Sequence, residues 1–126
     1  MGVQLLRIMT LEDGPRSSLD NGRGEKIKLV DERLSGAIDL HHNTLFPHGA
    51  KGRYHRHSKA DNVYIVTGGA GELIADGVAH TVRKGEIIFI PAGMPHSLSN
   101  PGDEPFSIFE IYAPAGADFD FIPVEE

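Results

Sequence analysis

The sequence predicts an all-β fold, a sandwich or a barrel, on three observations. Fifteen glycines and eight prolines punctuate the 126 residues, the pattern of strands joined by tight turns. The apolar runs between them are brief and numerous, where helices would need longer amphipathic stretches. Asp76-Gly77 is the favoured two-residue hairpin connection, because both central residues of such a turn need positive φ.

The elements follow in order. Residues 12–26 are polar and glycine-rich and read as an exposed loop. An early strand is expected over 27–30 and a longer one over 35–46, ending at Pro47, which has no N–H for a ladder. Further strands are expected over 53–57, 63–67, 72–75, 78–82, 86–90, 96–99 and 106–113, with a turn at 101–105. Eight or nine strands at this spacing suit a sandwich or barrel. No internal repeat, low-complexity tract or linker interrupts them, so residues 1–126 read as one domain.

Composition narrows the function. Hydrophobic residues make up 40% and charged residues 24%, as in ordinary globular proteins. A net charge of −6, with no basic stripe interleaved with aromatics, argues against nucleic acid as a partner. There is no cysteine, so a metal would be held by nitrogen and oxygen donors alone. No apolar stretch approaches the ~20 residues that span a bilayer. Residues 1–7 lack the apolar core and cleavage site of a signal peptide, and Leu6 stands where a myristoylation signal needs Ser or Thr. A cytoplasmic protein without a membrane partner is expected.

Two segments carry the chemistry. In the first, Gly49 is followed by His55, His57 and Gly69; in the second, Gly85 is followed by Pro91, Gly93, His96 and Asn100. Strand side chains alternate faces, so His55 and His57 point the same way. A turn at Pro91 and Gly93 would deliver His96 from another strand, giving a facial set of three imidazoles. Imidazoles suit Zn, Cu, Fe and Ni, and with oxygen donors also Mn. Asn100 is expected to bond backbone in the next turn rather than a metal.

These segments resemble the paired motifs of the cupin superfamily, G-x5-H-x-H-x(3,4)-E-x6-G and G-x5-P-x-G-x2-H-x3-N. Nine of the ten fixed positions match at the right spacing. The resemblance spans about residues 36–114 and implies a small jelly-roll barrel, a double-stranded β-helix, holding a divalent metal ion. Residues 1–35 would then pack on the barrel or on a partner. Fold alone does not name a substrate.

The one departure is Asn62, which stands where the family has an acidic ligand. Asn offers only a neutral amide oxygen, so His55, His57, His96 and Asn62 would leave the full 2+ charge on the ion. Such an ion is a stronger Lewis acid, and M(III) is disfavoured. Asp61 is the alternative, since the motif allows a gap of three or four, but 61 and 62 face opposite sides of a strand. A third reading has Asn62 bonding a metal-bound water.

Other candidates follow the alternation. Over Ile38–Phe46 the even positions are mostly apolar, which puts His42 and Thr44 inward and leaves His41 in solvent. His48 and His80 read as surface residues. Arg53 and Tyr64 are in phase with the ligands and line the pocket, Arg53 as a carboxylate anchor; otherwise they are a salt-bridged arginine and a core tyrosine. Glu110 lies in an apolar strand, and if inward it is a carboxylate with raised pKa, suited to a general base.

The function expected is metal-dependent Lewis-acid chemistry of isomerase or lyase type on a polar small metabolite. Alternatives are an Fe(II) dioxygenase and a non-catalytic binding module for a metabolite or metal. The metal expected is Zn, Mn, Fe or Ni, with no organic cofactor. A homodimer is expected, with the apolar segment Val3–Met9 lying across the partner and open sheet edges covered.

Overall fold

The computed structural model describes residues 6–115 and 120–126. Eleven strands form, β1 (Arg16–Ser18), β2 (Gly24–Val30), β3 (Asp39–Leu45), β4 (His55–Arg56), β5 (Asp61–Gly68), β6 (Ala70–Ala75), β7 (Val78–Arg83), β8 (Ile87–Ile90), β9 (His96–Ser99), β10 (Phe106–Ala113) and β11 (Ile122–Pro123). They build two antiparallel sheets, one ordered β1-β2-β3-β10-β5-β8 and the other β11-β4-β9-β6-β7. Apart from the β1-β2-β3 meander and the β6-β7 hairpin, each strand crosses to the opposite sheet from its predecessor. This is the jelly-roll barrel that the motifs imply. No described helix is long and apolar enough to cross a membrane.

The core lies between the sheets. Leu45, Tyr64, Val66, Ile90, Phe106 and Ile108 from one meet Leu73 and Val82 from the other. Phe106 is fully buried, and a Cβ at Gly71 would stand 2.4 Å from its ring, so only glycine fits there. The predicted hairpin forms, with Asp76 at φ 48° and Gly77 at φ 81° and Ala75 paired with Val78.

Two expectations are corrected. Residues 12–26 are not all loop, because Arg16–Ser18 pairs with Glu25–Ile27 and extends the sheet at its edge. A short polar edge strand has no buried face, so no alternation marks it. The faces of β3 are also the reverse of those expected. Asn43 and Leu45 face the interior, and His41 is 4% exposed with its ring 5.6 Å from that of Tyr112. Asn43 is polar and inward because it lines a cavity. Leu40 and His42 lie on the outer face, where His42 is covered by Phe109 at 4.9 Å.

That outer face is apolar. Cross-strand registers align Leu40, Ile111, Val63 and Phe89 in one row, and His42, Phe109, Ile65 and Ile87 in the next. Ile87 is 70% and Phe89 61% exposed at its edge.

Candidate metal centre and its cavity

The three histidines converge. His55 on β4 is register-paired with His96 on β9, and His57 follows two residues on. Their ring centroids lie 4.5 to 5.5 Å apart, and one ligand nitrogen from each lies within 4.8 Å of the others. The turn that delivers His96 is tied to the first motif, since Gly93, at φ 88°, donates its N–H to the His57 carbonyl at 2.7 Å.

Each ring is oriented through Nδ1. His55 Nδ1 donates to the Arg53 carbonyl at 2.7 Å, His96 Nδ1 to the Met94 carbonyl at 2.9 Å, and His57 Nδ1 to the Asp120 carbonyl. A carbonyl can only accept, so Nδ1 carries the proton and Nε2 keeps its lone pair. Burial lowers all three pKa values, that of His55 to about 3 against the pull of the Arg53 carbonyl. The rings are therefore neutral at neutral pH.

The pair 61 and 62 divides as alternation demands. Asp61 is exposed, and its carboxylate accepts from the Ala92 N–H at 2.8 Å. It closes the Pro91–Gly93 turn rather than facing the interior. Asn62 is 1% exposed, on the same face as Tyr64. His96 Nε2 is buried with no hydrogen-bond partner among the described residues, while the Asn62 amide acts on the Tyr64 hydroxyl. Buried polar atoms of this kind normally have partners. A divalent ion between the three histidines would supply one, so these residues fit such an ion; of Asn62 only the amide oxygen could join them, because the amide nitrogen is a donor group.

His55 and His57 open on a cavity of about 160 Å³ that Tyr64, Glu110, Asn43 and Tyr112 also line. Glu110 points inward, 5% exposed, and its Oε2 accepts from Asn43 Nδ2 at 2.6 Å. Burial raises its pKa, opposed by Lys26, Asn43 and Arg23. Burial likewise holds the Tyr64 phenol well above its usual range, with the Glu110 charge adding and Asn62 opposing. Arg53 lies at the exposed rim, its guanidinium carbon 5.8 Å from the centre of the Phe121 ring, a cation–π distance. Phe121 itself stacks on His55 at 4.2 Å.

Sequence reasoning missed Asn43, Tyr112, Phe121, Arg23 and Lys26 as lining residues. A polar Asn43 inside a strand was a usable signal, once odd positions are taken as inward. Arg23 and Lys26 stood in a stretch read as solvent-exposed. Phe121 arrives from a segment with no motif. Asn100 bonds backbone as expected, donating to Leu45 O at 2.9 Å and Glu104 O at 2.8 Å. His48 and His80 are exposed, and His48 Nε2 pairs with Asp103 at 2.6 Å.

Comparison with known proteins agrees with this geometry. A sequence profile described as the cupin domain matches residues 42–112. The chain is 35% identical over 115 residues to the glucose-6-phosphate isomerase of Thermococcus onnurineus, covering 81% of this chain and 60% of that one. It is 33% identical over 64 residues to an uncharacterised protein of Methanocaldococcus jannaschii, covering 51% of each. The chain thus spans 60% or less of the length of these relatives. Among solved structures, the polyketide cyclase RemF from Streptomyces resistomycificus superposes with a TM-score of 0.82 at 19% identity, covering 97% of this chain and 87% of that one. At that identity the likeness is one of fold alone.

Proposed function

This chain belongs to the cupin family, and on that premise we propose that it is a metal-dependent enzyme that isomerises a polar small metabolite by redox-neutral Lewis-acid chemistry. One observation carries the reading. Three neutral imidazoles converge beside a cavity that also holds a buried carboxyl and a phenol. His55, His57, His96 and Asn62 would hold Zn, Mn, Fe or Ni, and the bound ion would supply polarisation of a substrate carbonyl. A donor set without an anion leaves the 2+ charge uncompensated, which favours this chemistry over routes through M(III).

The chain's own residues do the rest. Glu110 is the proton-moving group, its pKa raised by burial from the ordinary carboxylate range. Asn43 fixes its Oε2, so the other oxygen is the one available to a substrate. Tyr64 stays protonated and donates a hydrogen bond into the cavity. Arg53 anchors a substrate carboxylate from the rim. The resemblance to a glucose-6-phosphate isomerase over 81% of this chain supports an isomerase. Residues 1–126 act as a single cupin domain in this reading, assembled as a homodimer.

The test is proton exchange. Protein loaded in turn with Zn, Mn, Fe and Ni is incubated in D2O with a panel of aldoses, ketoses and their phosphates, and deuterium uptake is followed by NMR. Metal-dependent uptake that disappears in Glu110→Gln supports the reading. Oxygen consumption by the iron form without exchange would replace it with a dioxygenase. Failure to retain any metal would replace it with a binding module.

A further inference from the structure

We propose that the cavity carries an oxyanion subsite built by Arg23 and Lys26, with Arg53 at its rim, which takes a substrate bearing a phosphoryl or carboxylate group. The proposal rests on the reading of this cavity as the substrate site.

The chain has a net charge of −6, yet three of the charged groups lining this cavity are cations, against Asp20 and Glu110. A concave site with this excess of one sign concentrates the opposite charge from solution.

The placement of Arg23 is built rather than incidental. It is half-buried, and among the described residues its Nη1 reaches only the Leu98 carbonyl, at a long 3.4 Å. A Cβ at Gly52 would stand 2.8 Å from the Leu98 oxygen and 3.2 Å from Nη1 and Nη2 of Arg23. Glycine at 52 therefore gives the guanidinium its bed. Neither Arg23 nor Lys26 forms an ion pair among the described residues, and burial lowers the Arg23 pKa, with the charges of Asp20, Glu110 and Tyr64 offsetting only part. A half-buried cation without a paired carboxylate is costly, and an oxyanion presents the planar fork with two acceptors. Lys26 is register-paired with Asn43, the residue that holds Glu110, so the subsite adjoins the proton-moving group.

Arg23 and Lys26 precede the segment matched by the cupin profile, residues 42–112. Lys26 on β2 and Arg23 just before it thus bring charge to the cavity from outside that segment. The cavity of about 160 Å³ limits that substrate to a small molecule.

The experiment is calorimetric titration of metal-loaded protein with inorganic phosphate and with malonate, repeated after chelation, on wild type, Arg23→Gln, Lys26→Gln and the double variant. At least one probe binds the wild type, with or without metal, and whichever binds more tightly identifies the phosphoryl or the carboxylate. Affinity falls about tenfold in Arg23→Gln, further in the double variant, while elemental analysis shows unchanged metal. Lys26→Gln alters a partly exposed side chain outside the core, so it reads the effect even if Arg23→Gln misfolds. Equal affinity in Lys26→Gln and wild type, or no binding of either probe, overturns the proposal. Anion binding retained in a chain that holds no metal would overturn the proposed function and leave this subsite standing.

Discussion

His55 and His96 stand directly opposite one another as the register pair joining β4 to β9, and each donates its Nδ1 proton to the carbonyl two residues before it. The same local device thus aims both rings from opposite strands. Because side chains alternate along a strand, a one-residue slip would turn His55 away from its partner. Sheet pairing and ligand placement are therefore one event.

The first prediction concerns occupancy. His55→Ala, His57→Ala and His96→Ala each remove a ligand and lower metal affinity by at least about 100-fold, more than the loss of an outer partner costs, while circular dichroism stays that of a folded barrel. Elemental analysis of dialysed protein checks this. Metal undiminished in His96→Ala would refute the centre.

Asn62 and Asp61 separate in a second experiment. Asn62→Glu adds an anionic ligand, so metal binds more tightly and its bound water becomes harder to deprotonate; isomerase turnover falls as occupancy rises. Asp61→Ala removes the bond to the Ala92 N–H and costs about 1 kcal/mol of stability with metal content unchanged. Competition with a chromophoric chelator, alongside urea unfolding, distinguishes the two effects.

The third prediction follows from His41. Burial lowers its pKa to about 4 from the ordinary 6.5. The unfolded chain therefore takes up this proton first as pH falls, and between those values it binds more protons than the folded chain. Stability from this residue is complete above pH 6.5 and declines toward pH 4, by about 3 kcal/mol at most. Glu110, with its raised pKa, acts in the opposite sense, losing stability as pH rises. Urea midpoints between pH 4 and 7 decline with acidity in wild type and less steeply in His41→Phe, the remaining slope coming from His55, His57 and His96, whose pKa values burial also lowers. An unchanged slope in that variant would show that other groups carry the acid response.

The fourth is the dimer. The apolar rows ending at Ile87 and Phe89 are the face we expect a second copy to cover. Light scattering gives a dimer at micromolar concentration for wild type, and Ile87→Lys with Phe89→Lys shifts it to monomer without unfolding. A wild-type monomer would sink this expectation. Leu6 and Ile8 are almost fully exposed and available to the partner, while Val3–Leu5 lie outside the described residues.

The sequence was most legible where geometry is local. The turn at Gly93 needs a positive φ, the hairpin at Asp76-Gly77 needs two, and the histidine spacing follows from the pleat, so each left a fixed residue pattern. The reading of β3 failed because alternation was taken to mean apolar inward, and at a cavity wall the rule inverts. Asn43 faces the cavity, while Leu40 joins the outer apolar face. Arg23, Lys26 and Phe121 reach the site through pairings distant along the chain, which no local pattern records. Glu110 was the intermediate case, since its strand signalled burial but not which of its two faces turned inward.

All three groups that aim the histidines are main-chain carbonyls, those of Arg53, Met94 and Asp120. No side-chain replacement at those positions deletes an acceptor, so the ring orientations are buffered against mutation. The cavity walls, made of side chains from β2, β3, β5 and β10, have no such protection. Drift in this lineage would accordingly alter what enters the barrel long before it dismantled the histidine cluster.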